Sequence, residues 1–357
     1  MSKKHNFGAG PCILPQEVFQ QAAAAVLDFN GLSILEVSHR SADFVAVMDE
    51  AQASVKKALN VPDGYTVMYL QGGASLAFLI SAMNMSGANK KAGYVNTGAW
   101  ASKAIKEGKN AGLDVQVLAS SEDKNFNYVP KGYNIGSDLD FLHLTSNNTI
   151  FGTQMKGFPT TDVPLVCDMS SDIFSKQINV ADFDIIYAGA QKNLGPAGAT
   201  LYIVKDSILG NSTHPNIPTY LDLNTHFKKG SMFNTPPVFP IFTSMLNLRH
   251  MLANGGVAEM EKRNEAKAAL IYGEIDSNPL FTGTTAVEDR SNMNVTFVMN
   301  DDSLTDDFNA AWAAANIVGL KGHRDVGGFR ASMYNALEID SVKVLTDLMS
   351  DFAQRKG

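Results

Sequence analysis

The sequence predicts an α/β fold, with a mostly parallel, doubly wound sheet in a large domain and a smaller α+β C-terminal domain. Three observations carry this. Short β-type runs alternate with helical patterns through the first two-thirds of the chain, the order that parallel strands with helical crossovers require. From about Met251 the order changes to longer helices with fewer strands between them. The 357 residues, 45% of them hydrophobic, suffice for one large core and a smaller second one. The expected division is 1–255 and 256–357, with roughly the first fifteen residues as an N-terminal arm.

"PQEVFQQAAAAVLDF" reads as a helix with Pro15 in its first turn. "FVAVMDEAQASVKKALN" is amphipathic, its apolar positions recurring at helical spacing. "YTVMYLQ" is a strand, and "GGASLAFLISAMNM" opens on two glycines and continues as helix. "KAGYVNTGAWASKAIKEGKNAG" is strand, loop and helix; "DVQVLAS", "DFLHLTSN", "PLVCDMS", "DIIYAGA" and "ATLYIV" are further strands. "PNIPTYLDLNTHFKKGSMFNTPPVFPIF" is too rich in Pro and Asn for regular structure. "MLANGGVAEMEKRNEAKAALIYGEIDSN" is expected as one long helix bent at Gly255-Gly256. The strand "NMNVTFVMN", the helix "LTDDFNAAWAAAN", "FRASMYNAL" and the helix "SVKVLTDLMSDFAQR" complete the chain.

Composition narrows the function. Charged residues are 18% of the chain, below the usual ~25% of soluble proteins, which opposes disorder. A net charge of −7 without a long basic run makes nucleic acid and anionic membrane poor partners. No apolar stretch reaches bilayer length, and the N-terminus has no signal-peptide core. Cys12 and Cys167 stand far apart without metal-ligand spacing, so no metal is expected and a reducing, cytoplasmic setting fits.

Ligands of parallel α/β sheets gather at the carboxyl ends of the strands, and four features fall there. "LQGGAS" joins a strand to a helix whose first residues, Ala74 and Ser75, offer free N–H groups and a hydroxyl to a phosphate. An ordinary glycine turn is the plainer reading of that stretch alone. Asp168 ends the apolar run "PLVCD", as a ligand carboxylate or as a cap. Trp100 in "NTGAWASKA" is a packing residue or a stacking plate. Lys192 follows "YAGAQ" and precedes the tight loop "GPAG". A lone lysine is ordinarily solvated, but small neighbours leave space for a desolvated, nucleophilic amine. An amine, a carboxylate, an aromatic plate and a phosphate cradle are the four needs of pyridoxal 5′-phosphate.

With those residues in place, the chain resembles the phosphoserine aminotransferase family, pyridoxal-phosphate enzymes of the aspartate-aminotransferase fold (type I). The matching stretches, in order, are "NFGAGPCILP", "ILEVSHRSADF", "LQGGASLAF", "NTGAWASKA", "CDMSSDIFS", "YAGAQKNLGPAG", "FNTPPVF" and "GLKGHRDVGGFRASMYNA". The resemblance implies that Lys192 bonds the cofactor aldehyde and Asp168 pairs with its ring nitrogen. It implies that Trp100 stacks on the ring, that Ala74, Ser75 and Gln191 bind the phosphate, and that Thr149 lies near the ring oxygen. Asn234 and Thr235 would reach in from the second subunit of a homodimer. Substrate binding would fall to His39, Arg40 and Arg330, with His323 and Arg324 from the partner chain. Arginine's planar fork suits the carboxylates and phosphate of such substrates.

The implied reaction is reversible transamination of 3-phosphohydroxypyruvate with L-glutamate, giving O-phospho-L-serine and 2-oxoglutarate for serine synthesis. Bacterial enzymes of this family often also process a related phosphorylated threonine in vitamin B6 synthesis, and the sequence does not decide that for this chain. The chain departs from the family at Ala77, often Gln, and at Cys12, often Ala. The alternatives are another aminotransferase of the same fold and a catalytically silent phosphate-binding scaffold. A desulfurase would need a late cysteine, and none follows Cys167.

Overall fold

The computed structural model describes residues 4–324 and 326–356; residues 1–3, the start of the expected arm, lie outside this range. His5–Asn6 forms a short strand, β1. Two helices follow, Gln16–Leu27 (α1) and Ala42–Ala58 (α2). Pro15 stands at the cap of α1 rather than inside its first turn. Ser41 caps α2, its hydroxyl accepting from the Phe44 N–H, which satisfies one of the amides every helix start leaves open.

Strands and helices then alternate: Tyr65–Gln71 (β2), Ala74–Asn84 (α3), Lys91–Asn96 (β3), Ala99–Asn110 (α4) and Asp114–Ser120 (β4). Phe141–Thr145 (β5), Leu165–Asp168 (β6), Ile185–Gly189 (β7) and Ala199–Lys205 (β8) complete a seven-stranded sheet in the order β2-β8-β7-β6-β5-β3-β4. Its pairings are parallel except those of β8, which runs antiparallel to both β2 and β7. The physical reason lies in the connection. Between β7 and β8 the chain has only the turn 190–198, too short for the crossover a parallel pair needs.

Alternation within the strands builds a layer on each face. Val67 and Tyr69 of β2, Ile186 and Ala188 of β7, and Leu201 and Ile203 of β8 pack with α1, α2 and the later helix Val238–Ala253. Met68, Leu70, Ile185, Tyr187, Tyr202 and Val204 point the other way, to α3 and α4. This is the doubly wound arrangement expected from the sequence.

The Pro-rich linker is more ordered than expected: Leu223–Lys228 is a short helix (α5), and Val238–Ala253 is α6. Pro240 is the third residue of α6, where an N–H would have no intrahelical acceptor, so the ring costs no hydrogen bond. Gly255 and Gly256 have φ of +95° and +66°. Two successive left-handed residues break the chain rather than bend it, and Gly256–Ser277 is a separate helix, α7.

Beyond α7 come Phe281–Gly283 (β9), Asn294–Met299 (β10), Thr305–Ala314 (α8), Ile317–Val318 (β11), Phe329–Ser332 (β12) and Ile339–Lys356 (α9). The antiparallel sheet β12-β10-β9 packs with α7, α8 and α9 in a core of its own. Phe7 is buried in that core, and β1 pairs with β11, so the first residues of the chain pack with its last hundred. No helix among the described residues is long and apolar enough to cross a membrane.

Candidate active site

Five strands deliver residues to one edge of the large sheet. β5 leads into the loop carrying Thr149, β6 ends on Asp168, and β7 runs into the turn carrying Lys192. β2 and β3 lead into the starts of α3 and α4, where Ala74, Ser75 and Trp100 lie.

Lys192 is 8% exposed. Its Nζ donates to Thr149 Oγ1 at 2.6 Å and lies 5.7 Å from the centre of the Trp100 ring. Burial lowers its pKa to about 8; the Asp168 carboxylate works in the opposite direction and Arg330 in the same one. The desolvated amine expected from its small neighbours is present.

Asp168 is 4% exposed. Its Oδ1 accepts from the Ser170 N–H at 2.9 Å and the Ser170 hydroxyl at 2.6 Å. Both donors go to one oxygen, leaving Oδ2 uncommitted among the described residues. Burial raises the Asp168 pKa, opposed by the two Ser170 hydrogen bonds and by Lys192. A cation brought to Oδ2 would relieve that burial.

Arg330, on β12, donates from Nη1 to the Thr149 carbonyl at 3.2 Å, and its buried Nε has no partner. Burial lowers its pKa. Thr149 thus binds Lys192 with its side chain and Arg330 with its backbone. One residue holds an amine and a guanidinium on either side of itself.

No side chain caps α3. Ser75 is exposed and Ala74 half-buried, so the positive end of the helix is open to an anion. Gln191 is half-buried beside Lys192. Trp100 Nε1 is buried without a partner. Ala77 lies on the buried face of α3, in a hydrophobic core, and its methyl group offers no hydrogen bond there. Cys12 donates its thiol to the Lys192 carbonyl, and burial pushes that thiol up to about 12.

The remaining expected residues differ in burial. His39 is buried with Nε2 unpartnered, whereas Arg40, Asn234, Thr235 and Arg324 are exposed and His323 is half-buried. The Thr235 carbonyl accepts from Gln71 of the same chain. No hydrogen bond among the described residues joins Arg40, Asn234 or Thr235 to Lys192, Asp168 or Thr149.

Sequence reading missed several supports. Ser170 fixes Asp168, a pairing legible in the Asp-x-Ser spacing of "CDMSSD". Asn294 accepts from Asn147 at 2.7 Å and donates to Ser332 at 2.9 Å, tying the Thr149 loop to β12. No local pattern marks that pair, which lies 147 positions apart. The assembled set fits a phosphorylated pyridine aldehyde: amine, ring face, open carboxylate oxygen and open helix start.

Comparison with known proteins agrees with this chemistry. A profile of the aminotransferase class-V family matches residues 5–345. A phosphoserine aminotransferase of Flavobacterium psychrophilum is 57% identical, over 99% of both chains. The solved phosphoserine aminotransferase of Bacillus circulans subsp. alkalophilus superposes with a TM-score of 0.96 at 43% identity, covering 99% of each chain. The PLP-bound phosphoserine aminotransferase of Trichomonas vaginalis gives 0.93 at 33% identity, over 98% of this chain and all of that one.

Proposed function

From the premise that the chain belongs to the class-V aminotransferase family, we propose that it moves an amino group between L-glutamate and 3-phosphohydroxypyruvate, forming O-phospho-L-serine. It is a pyridoxal-phosphate-dependent transferase. The observation that carries the substrate reading is Thr149, shared between the Lys192 amine and the Arg330 fork. An α-amino acid presents an amine and a carboxylate at adjacent positions; its amine would take the place of Lys192 on the cofactor aldehyde, and its carboxylate would meet the Arg330 fork.

Bound here, pyridoxal phosphate supplies an aldehyde that takes up the amine and a ring that spreads the electron pair left at the substrate α-carbon. Lys192 would hold that aldehyde, and its depressed pKa suits its free amine to carry the α-proton as a neutral base. Asp168 would pair with the ring nitrogen and favour its protonated form, with Ser170 locking the carboxylate. Trp100 would cover the ring and exclude water, and the start of α3, with Gln191, would take the phosphate. Arg330 grips the α-carboxylate.

We read Arg40 with His39, and His323 with Arg324 of a second subunit, as the groups for the distal phosphate or carboxylate. A homodimer is supported by the exposure of Asn234 and Thr235 beside an exposed Phe233, an apolar side chain that a partner would cover. The division at 255/256 is supported by the Gly255-Gly256 break and the separate C-terminal core. Two cysteines left unpaired agree with work in the cytoplasm.

The test is an assay with glutamate and 3-phosphohydroxypyruvate. Lys192→Ala is expected to abolish turnover while still binding cofactor through the phosphate site. Near-normal activity of that variant without added amine would remove Lys192 from the mechanism.

A further inference from the structure

Lys192 and Asn193 also border a second cavity, of about 620 Å³. Thr149, Asp168, Trp100, Ala74, Ser75 and Arg330 are all absent from its walls, so it is not the space the Lys192 amine faces. It lies among residues 13–15 of the arm, the start of α1, the end of α6, the face of α7 and the segment 335–340. Its size is that of an ordinary small-molecule site, roughly 300–1,000 Å³. Leu14, Met251, Met260 and Leu337 give it apolar walls.

Lys192 turns its amine to Thr149, and the other charged groups around the cavity are matched, with one exception. His250 contacts Glu17 at 3.0 Å, Arg263 contacts Glu259 at 3.0 Å, and Asp340 contacts Lys343 at 3.0 Å; Glu338 is also engaged. Lys267 is different. It is 1% exposed, and its Nζ donates to the carbonyls of Met333 at 3.0 Å and Tyr334 at 2.9 Å. An ammonium has three donors, and no carboxylate pairs with this one among the described residues. Burial and the neighbouring Arg263 push its pKa down to about 7. A buried ammonium facing only neutral oxygens is a costly arrangement that an anion relieves.

The anion must be small and singly charged, because Glu17, Glu338 and Asp340 border the same space and would repel a phosphate dianion. It must also carry an apolar body to fill the rest. We propose that this cavity is a second binding site, for a short-chain aliphatic monocarboxylate whose carboxylate pairs with Lys267 and whose hydrocarbon chain lies against Leu14, Met260 and Leu337.

Calorimetric titration of the cofactor-loaded protein with hexanoate tests this. Hexanoate has no amino or oxo group, so it does not enter the reaction. Arg330→Ala, which removes the active-site fork of the functional reading, is expected to leave the cavity affinity within about twofold, the two sites being separate. Lys267→Met, close in shape and uncharged, is expected to weaken binding by at least about tenfold, as loss of one member of a buried ion pair does. Should Lys267→Met fail to fold, Ala266→Phe decides the matter. Ala266 borders the cavity from an exposed position on α7, and the larger ring is expected to block entry with Lys267 intact. Binding that vanishes in Arg330→Ala, binding that survives in folded Lys267→Met or in Ala266→Phe, or no binding up to tens of millimolar would each overturn the proposal. The functional reading would stand in all three cases, since turnover by the unaltered enzyme is measured separately.

Discussion

Opposing fields set the character of Lys192. Burial and Arg330 favour its neutral amine, while Asp168 favours the ammonium, and the balance leaves a pKa of about 8. Covalent capture of added pyridoxal phosphate by the cofactor-free protein needs the neutral amine. The capture rate should therefore climb with pH and level off above about 8, well below the range of a solvated lysine. Asp168→Asn removes the group that raises this pKa, so the inflection should move to lower pH; a stopped-flow pH series follows both. An inflection near 10.5 in the unaltered protein would mean that the amine is solvated in practice. The same substitution should lower kcat by roughly a hundredfold or more, about 3 kcal/mol, the scale of a lost electrostatic contact at developing charge. Part of that rate should return with an N-methylated cofactor, whose ring charge does not depend on Asp168. An unchanged kcat would reduce Asp168 to a partner of Ser170.

The glycine turn between β2 and α3 shows how an element sets a site. Gly72 has φ of +100°, and a Cβ there would come within 2.8 Å of Leu76 Cδ2. Gly73 is extended, φ −164°, with open space where a Cβ would stand. Gly72→Ala should push the turn away from the position that aims the α3 amides outward. The left-handed strain alone, about 1–2 kcal/mol, corresponds to a cofactor dissociation constant roughly tenfold higher. Gly73→Ala should retain cofactor nearly as well as the unaltered protein. Equal loss in both variants would mean that the turn geometry does not hold the phosphate. This turn was legible in "LQGGAS" because strand, glycines and helix are contiguous, and the same holds for Asp168 and Lys192 at the ends of β6 and β7. What escaped local reading depends on residues distant in sequence. The break at Gly255-Gly256 turns on φ values that composition does not disclose, and α6 starts inside a Pro-rich stretch because Pro240 falls in its first turn. β1 is two residues long and exists through pairing with β11, so no periodicity announces it. Asn294 reads as a strand residue, and its contact with Asn147 appears only once the two sheets meet.

At the scale of the whole molecule, the single chain leaves its site open. Lys192, Asp168, Trp100, Thr149 and Arg330 converge, whereas Asn234, Thr235 and Arg324 stay on the surface. If the proposed homodimer shares its sites, Arg324 of one subunit serves Lys192 of the other. Lys192→Ala and Arg324→Ala proteins should then each be inactive and recover activity when mixed under conditions that allow subunit exchange. In a mixed dimer one site receives both lesions. The other joins an intact Lys192 to an intact Arg324 and is complete. Random exchange of equal amounts makes half of the dimers mixed, so about a quarter of all sites should work under two-fold symmetry. A site built within one chain recovers nothing, because every subunit carries a lesion. Labelled subunits would show that exchange has taken place, and zero recovery after exchange would place Arg324 in the same chain as the lysine it serves.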